Sequence, residues 1–194
     1  MYMTVLKMNR FSILSATNLL DINSSNSVHK WLTEQQDTHR VDGKLLYRVI
    51  NKNDEIYIYI QSKDKFNISN ISEYGFVFVK EISINISQQG VYCFDIQTFP
   101  NKTTENNKRY FIKDINSRYF WLQKKLKAFD IDLIECIEYN TSNIVFDKYE
   151  KTKSIPTASY RGKIIINDIQ KANNLIENGF GRFKNYGLGL FLVK

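Results

Sequence analysis

The sequence has few cysteines and histidines and no long apolar run. Two cysteines, Cys93 and Cys136, and two histidines occur in its 194 residues. The cysteines lie in alternating apolar stretches without a CxxC partner, so we expect buried reduced thiols and neither a disulfide framework nor a zinc site. No segment approaches the ~18 apolar residues that a membrane helix needs. These shortages argue against a disulfide-stabilised scaffold and against a helical membrane protein.

Several sequence motifs are also missing. There is no HxxEH motif and no paired Cys/His array, so we expect no metal and no cofactor. The N-terminal residues are interrupted by Lys7, Asn9 and Arg10 and contain no small-residue cleavage site, which argues against a signal peptide. With the unpaired cysteines, this predicts a cytoplasmic protein that does not bind membranes.

The composition is that of a folded basic protein. Apolar residues make up 43% of the chain and aromatic residues 14%, which is ample for a packed core. Lysine and arginine number 27 against 20 acidic residues, giving a net charge of +7. A surplus of this sign favours a polyanionic partner.

The first half of the chain predicts the order β-α-β-β-α-β. The helix is the best marked element, because Val28, Trp31 and Leu32 fall at helical spacing behind possible serine N-caps. Ile56, Ile58 and Ile60 alternate with tyrosines, as in one strand of a hairpin. The predicted elements are a strand over Met1–Met8, a helix from Ser24 to about Gln36, strands Leu45–Ile50 and Glu55–Gln61, a short helix within Lys65–Tyr74 and a strand over Phe76–Ser87.

The second half predicts the same order again. Tyr119, Leu122, Leu126 and Phe129 repeat at helical spacing, and lysines fill the other side, which we interpret as a solvated face. The predicted elements are strand Gly90–Phe99, a polar mobile loop Asn101–Asn107, helix Ile115–Phe129, strands Ile131–Tyr139, Ile144–Phe146 and Tyr160–Ile166, a basic loop or hairpin tip Asp147–Ser159, helix Asp168–Glu177 and a final strand Leu188–Val193. We therefore predict an α+β fold of two tandem ferredoxin-like (βαββαβ) domains, residues 1–88 and 89–194.

The segment after the last predicted helix is rich in glycine. Residues 179–194 contain four of the chain's eight glycines, with Arg182 and Lys184 between them. Glycine lets a backbone adopt positive φ and approach a ligand closely, so the segment suits a loop whose amides and cations hold a phosphate. It equally suits a glycine-punctuated turn before an apolar strand. It matches neither the dinucleotide fingerprint nor a Walker loop.

Three features together resemble a known family. They are the duplicated ferredoxin-like order, the segment Trp121-Leu-Gln-Lys-Lys-Leu126 and the ending Gly179-x-Gly-x-x-Lys-x-x-Gly-x-Gly189-Leu-Phe. A further segment, Gly162–Asp168, looks like the family's strand-to-helix passage before that ending. The chain resembles the CRISPR repeat-processing endoribonucleases of the type I-E (Cascade) system, the CasE family.

The resemblance implies cleavage of precursor CRISPR RNA in each repeat, at the base of a stem-loop, with 2′,3′-cyclic phosphate and 5′-OH ends. It also implies a monomer when isolated, which keeps the product hairpin and meets other Cascade subunits through the bound guide RNA. The family's catalytic histidine falls on His29 and its glycine-loop lysine on Lys184. Many members have a tyrosine three residues before the histidine, where this chain has Asn26.

Other residues are candidates on weaker grounds. His39 is a second candidate for proton transfer, although its polar surroundings suit a solvated side chain equally. The predicted RNA contacts are Lys30, Lys151, Lys153, Arg161, Lys163, Gly179, Gly181, Arg182 and Gly187.

Two rival functions remain open. A non-cleaving RNA-binding protein of the same fold is suggested by Asn26, and an enzyme that holds a nucleotide in the glycine loop is conceivable. A generic RRM-like module is disfavoured, since no RNP1-like run of aromatic residues is found.

Overall fold

The computed structural model describes residues 1–9, 24–35, 45–69, 71–148 and 151–194. The chain forms two compact units, each assembled from separate stretches of sequence. The domain boundary between residues 88 and 89 stays a prediction. Unit 1 comprises Met1–Asn85, Val145–Lys153 and Lys184–Gly187, and unit 2 comprises Ile86–Ile144, Ser154–Phe183 and Leu188–Lys194.

The Met1–Asn85 part of unit 1 contains one α-helix and four strands in its described residues. The strands form an antiparallel sheet in the order β2-β3-β1-β4. This is the strand order of a ferredoxin-like unit, in which the first and third strands lie side by side in the middle. The elements are β1 Tyr2–Asn9, α1 Ser25–Gln35, β2 Leu46–Lys52, β3 Glu55–Ser62, a 3₁₀ turn Ile71–Tyr74 and β4 Val77–Ser83.

Helix α1 covers one face of this sheet. Its side chains Val28, Trp31 and Leu32 are at most 3% exposed and pack in one core with Leu6 and Ile58 of the sheet. The helical spacing predicted from the sequence is therefore confirmed, as is the β2–β3 hairpin.

The end of unit 1 differs from the prediction in two ways. The helix expected within Lys65–Tyr74 is reduced to the single 3₁₀ turn, and Gly75 follows it at a φ of 74°. The strand expected to reach Ser87 ends at Ser83, which pairs with Tyr2, the first residue of β1.

Unit 2 repeats the arrangement with two full helices. Its sheet has the order β10-β5-β9-β8, which is again the ferredoxin-like order. The α+β fold of two ferredoxin-like units predicted from the sequence is thus confirmed. The elements are β5 Gly90–Thr98, β6 Asn101–Thr103, β7 Arg109–Phe111, α2 Ile115–Lys127, β8 Ile131–Lys148, β9 Lys151–Ile166, α3 Ile169–Asn178 and β10 Leu192–Val193. A 3₁₀ turn over Lys184–Tyr186, between α3 and β10 in the chain, belongs to unit 1.

Strands β8 and β9 are longer than the sequence predicted. The strand breaks expected after Tyr139 and before Tyr160 do not occur, so the basic segment is the end of a long hairpin and not a loop. Pro156 is tolerated because pairing of β9 with β5 ends at Ala158, so that Pro156 lies where β5 requires no N–H donor. The distal part of the hairpin belongs to unit 1.

The polar segment after β5 also has more structure than expected. Strands β6 and β7 form a two-stranded ribbon in which Lys102 pairs with Tyr110. Its turn contains Asn107 at a φ of 57°, a conformation that asparagine tolerates better than most residues. The expectation of a loop over Asn101–Asn107 was therefore wrong for Asn101–Thr103, which form β6, whereas the residues after Thr103 form the turn.

A buried ion pair lies in unit 2. Arg118 of α2 and Glu138 of β8 have side chains only 8% and 7% exposed, and their atoms Nε and Oε2 are 2.7 Å apart. Arg118 also donates to the carbonyl of Ile112 at 3.0 Å. The buried Arg118 guanidinium is thus bonded both to a carboxylate and to a backbone carbonyl, as a charge removed from water requires.

The cysteines are both free, as expected, but they are not both buried. Cys93 is exposed and Cys136 is half-buried. Cys93 lies on the face of β5 opposite the one that carries the buried Phe94 and Ile96, a consequence of strand alternation. None of the described helices is long and apolar enough to cross a membrane.

Candidate active site

Helix α1 places His29 at the flank of its buried face. Val28 is fully buried next to it, whereas the His29 side chain is half-buried. The carbonyl of His29 accepts a hydrogen bond from Thr33 Oγ1 at 2.5 Å. His29 is thus fixed at its backbone and half-buried as a residue, with the ring atom Nδ1 on the buried side.

The turn Lys184–Tyr186 is the part of the glycine-rich segment that belongs to unit 1. It is closed by a hydrogen bond from the Gly187 amide to the Lys184 carbonyl, at 3.1 Å. Phe183 precedes it at a φ of 60° and Gly187 follows it at 83°. A bulky residue in the left-handed region costs about 1–3 kcal/mol, so the surrounding packing must hold Phe183 there.

Tyr47 of β2 connects the turn to helix α1. Its hydroxyl lies 2.8 Å from the Ser25 carbonyl and 3.2 Å from the Asn185 carbonyl. Its ring is stacked on the His29 ring, with 6.2 Å between centroids and 16° between planes. Burial raises the pKa of Tyr47 far above its usual range, and the neighbouring Tyr186 raises it further. Tyr47 is therefore a neutral hydrogen-bond donor between the two elements.

Two further contacts hold the turn within unit 1. The ring of Tyr186 packs on Phe146 of β8, with centroids 4.3 Å apart. Gly187 lies against the Tyr47 ring, where a Cβ would be 3.1 Å from Cε2. The turn is thus fixed from the strand side and from the hairpin side.

Other glycines of the segment have structural roles in unit 2. Gly179 ends helix α3 at a φ of 70°, and its amide donates to the Leu175 carbonyl at 2.8 Å. A Cβ on Gly189 would be 2.3 Å from the Phe180 carbonyl oxygen. Because the amides of Gly179 and Gly187 are used inside the protein, they are poorly suited to the phosphate contacts that the sequence suggested. Gly181, at a φ of 74°, is exposed.

The basic residues that the sequence predicts as RNA contacts are distributed over both units. Lys30 and Lys153 are in unit 1 and are exposed, and Lys30 lies 3.8 Å from Glu34. Lys151, the first residue of β9, is also in unit 1. Arg182 is exposed in unit 2, and no described carboxylate forms an ion pair with it or with Lys153.

Two other basic residues lie together on strand β9 in unit 2. Lys163 is paired with Glu135 at 2.9 Å, and this contact raises the pKa of the lysine. The Arg161 guanidinium lies 5.2 Å from the ring centre of Tyr139, whose hydroxyl donates to Asp95 at 3.0 Å. Both cations are therefore already engaged by protein groups.

The described residues contain no cluster of three or more His, Cys, Asp or Glu side chains that could hold a metal ion. The neighbouring carboxylates of Asp130 and Asp132 are each paired with a lysine, Asp130 with Lys171, and Asp132 with Lys127 at 2.6 Å. His39 lies outside the described residues. Asn26 lies in the first turn of α1.

Unit 1 thus brings His29 together with the turn that begins at Lys184. Sequence reasoning missed Tyr47, Phe146 and Tyr186, the residues that hold this arrangement. Tyr47 and Asn185 are 138 positions apart, so no local spacing could have indicated their contact.

The comparisons with known proteins agree with this architecture. The model of the CRISPR associated protein family matches residues 1–194, so the chain belongs to that family. The family resemblance inferred from the sequence is confirmed. A search of curated proteins found no significant match.

Solved structures of the same fold are available. A CRISPR endoribonuclease Cse3 bound to a 19-nucleotide RNA has a TM-score of 0.87 at 17% identity, with both chains covered completely. Cas6e from Escherichia coli K-12 has a TM-score of 0.75 at 17% identity, covering 100% of this chain and 98% of that one. A chain of a CRISPR RNA-guided surveillance complex has a TM-score of 0.70 at 16% identity, with the same coverage. At these identities the likeness establishes the fold.

Proposed function

We propose that this protein is a metal-independent endoribonuclease that cleaves precursor CRISPR RNA within its repeats, at the base of a stem-loop. The observation that carries the proposal is the contact between helix α1, which holds His29, and the turn that begins at Lys184. It is supported by the family and by a fold shared with an RNA-bound endoribonuclease.

The reaction requires two proton transfers. The 2′-hydroxyl oxygen attacks the adjacent phosphorus while its proton is removed, and the bond from phosphorus to the 5′ oxygen breaks as that oxygen takes up a proton. A histidine suits these steps because its unperturbed pKa lies near neutrality. On this proposal the His29 imidazole takes part in these proton transfers, either from the 2′-hydroxyl or to the 5′ oxygen. Such a role would contribute roughly 10²–10⁴ in rate.

The reaction also places extra negative charge on the phosphate oxygens. Lys184 is the cation nearest in sequence to the Tyr47 contact, and we assign it to stabilising this charge, a role typically worth about 10²–10³ in rate per donor. Arg182, two residues earlier and exposed, would hold the RNA backbone. The products are a 2′,3′-cyclic phosphate and a 5′-hydroxyl, because the nucleophile belongs to the RNA.

The remaining predicted contacts concern binding. Lys153 and Lys151 at the end of the hairpin, with Lys30, would face the RNA from unit 1. Arg161 and Lys163 would do so from unit 2, at the cost of their present partners Tyr139 and Glu135. We propose that the product hairpin stays bound and that the protein joins other Cascade subunits through this guide RNA. One such assembly contains a chain of this fold.

The test is cleavage of the cognate repeat hairpin in EDTA. We expect cutting at one position, a 3′ fragment that polynucleotide kinase phosphorylates without prior phosphatase, and a 5′ fragment whose terminal phosphate resists phosphatase until acid opens the cyclic ester. A series of substrates with single 2′-deoxy substitutions along the base of the stem should contain one that resists cutting. Intact wild-type RNA, or a requirement for a divalent metal, would refute the proposal.

A pair of histidine variants tests the assignment of the proton step. His29→Ala should abolish cutting and leave RNA affinity nearly unchanged, because His29 is placed at the chemistry and not at the binding surface. His39→Ala is the matched control, since the chain has two histidines. Equal cutting by wild type and His29→Ala would remove His29 from the mechanism, and loss of cutting in His39→Ala alone would transfer the role to His39.

A non-cleaving subunit that binds the CRISPR repeat is the alternative. Its motivation is Asn26, which stands in helix α1 where many family members have a tyrosine. On this alternative, the protein binds the repeat hairpin tightly but leaves it intact in the EDTA assay, with or without added metal.

A further inference from the structure

The structure points to Tyr47 as a positioning residue for the proposed cleavage reaction, and the inference rests on that proposed function. Tyr47 is 1% exposed and its pKa is raised by burial, so it does not itself meet a substrate or exchange a proton near neutral pH. Its effect must be transmitted through the residues that it contacts.

The Tyr47 hydroxyl contacts the backbone carbonyl that accepts the helical hydrogen bond of the His29 amide. In an α-helix the amide of residue i donates to the carbonyl of residue i−4, so the Ser25 carbonyl is the acceptor for the His29 amide. Tyr47 donates to that same carbonyl at 2.8 Å. Its ring also lies nearly parallel to the His29 ring, with 6.2 Å between the centroids, so a change at Tyr47 is expected to reach the imidazole.

The second contact lies at the other proposed catalytic residue. Asn185, whose carbonyl is 3.2 Å from the Tyr47 hydroxyl, directly follows Lys184 in the chain. A phenol has one hydrogen, so the two carbonyls share it, and the shorter contact is the stronger one. One hydroxyl group therefore sets the distance between the backbone of the histidine and the backbone of the lysine.

The perturbation that isolates this hydroxyl is Tyr47→Phe. It keeps the ring that packs on His29 and on Gly187 and removes only the shared donor. We expect single-turnover cleavage at saturating protein to slow by about 10- to 100-fold, the range expected when reacting groups are misplaced by up to about 1 Å. RNA affinity should stay at the wild-type value, because Tyr47 is buried.

Tyr160→Phe is the matched control. Tyr160 is also 1% exposed, but it belongs to unit 2, whereas His29 and the turn that begins at Lys184 belong to unit 1. Both variants lose a buried hydroxyl, and thermal unfolding of each shows the assay temperature at which both are folded. A double-mutant cycle of Tyr47→Phe with Lys184→Ala should be non-additive, since the two changes act on the same arrangement.

A readout that does not need cleavage separates this inference from the proposed function. The imidazole Hε1 resonance of His29 can be assigned because His39 is the one other histidine. We expect Tyr47→Phe to shift or broaden the His29 resonance and Tyr160→Phe to leave it unchanged. If the wild type does not cut RNA, the proposed function fails and this measurement still decides the positioning role.

The inference is overturned by an unchanged His29 resonance in Tyr47→Phe. It is also overturned if Tyr47→Phe cuts at the wild-type rate, or if Tyr160→Phe slows cutting by the same factor. A rate loss that is fully additive with Lys184→Ala would show that Tyr47 acts elsewhere in the protein.

Discussion

Gly187→Ala tests the packing of the turn against Tyr47 through both stability and activity. Gly187 has a φ of 83°, and a Cβ there would be 3.1 Å from Tyr47 Cε2. Alanine in the left-handed region costs roughly 1–2 kcal/mol. The stiffer unfolded chain offsets about 0.4–1 kcal/mol of this. The crowded contact adds to the remainder, so the expected net loss is about 1 kcal/mol.

For a chain of this size, a loss of about 1 kcal/mol corresponds to a melting temperature lower by roughly 2–4 °C. The added methyl must also displace either the Tyr47 ring or the turn by a few tenths of an ångström. Because the hydroxyl contacts of Tyr47 depend on that position, we expect cleavage to slow by about tenfold at a temperature where the protein is fully folded.

Gly75→Ala provides the matched control. Gly75 has a similar φ of 74° in unit 1, but it follows the 3₁₀ turn before β4. Scanning fluorimetry should therefore show a comparable loss of stability for both variants, while single-turnover kinetics should show slow cleavage for Gly187→Ala alone. Equal rates in the two variants would refute the role of the Gly187 contact, and an unchanged melting temperature in Gly187→Ala would refute the strain argument.

Three other predictions follow from the described contacts. Arg118→Ala leaves the buried Glu138 carboxylate without its cation and should destabilise the protein by about 3–5 kcal/mol in urea unfolding; a loss below about 1 kcal/mol would contradict this. Burial raises the pKa of Cys136 to about 11. Because the thiolate is the nucleophile, alkylation of Cys136 in the Cys93→Ser variant should be slow at pH 8 and accelerate up to pH 11. An alkylation rate that is already maximal at pH 9 would contradict this. Lys153→Ala should lower the slope of log affinity against log salt by about 0.7–0.9 if Lys153 neutralises one phosphate, whereas an unchanged slope would remove it from the interface.

The elements that could be predicted from the sequence are those whose burial repeats along the chain. Helix α1 is predicted by the spacing of Val28, Trp31 and Leu32, because one face of a helix must pack into the core. Strand β3 is predicted in the same way by Ile56, Ile58 and Ile60, because alternate residues of a strand point to the same face of the sheet. From such elements the ferredoxin-like order follows, since it depends on the sequence of helices and strands and not on any particular contact.

The errors occur where pairing with another strand decides the outcome. Strand β4 stops where β1 begins, and β8 and β9 continue through polar residues because each pairs with the other. The ribbon of β6 and β7 is polar and short, so it has no apolar alternation to detect. The exposure of Cys93 likewise depends on which face of β5 packs on the helices.

The site shows the same division at the level of single residues. His29 is predicted through the family resemblance, because its position in the first helix is local to a recognisable element, and its role stays a prediction. Tyr47 could not be predicted in this way, since it lies among the apolar residues of β2 and is expected there simply as a core side chain. Its contact with the turn depends on the Asn185 carbonyl, which is distant in sequence, and on a turn whose conformation requires Gly187.

The role of the glycine-rich segment follows from its internal hydrogen bonds. The amides of Gly179, Gly187 and Gly189 donate to protein carbonyls, so these glycines act by permitting the turn and the close approach of neighbouring chains. On the proposed function, this segment would therefore hold a phosphate mainly through side chains, such as that of Lys184. A pair of variants tests this: Lys184→Arg, which keeps the charge, should keep most of the RNA affinity, whereas Lys184→Gln, which removes it, should weaken binding. Unchanged affinity in Lys184→Gln would return the phosphate contact to the backbone.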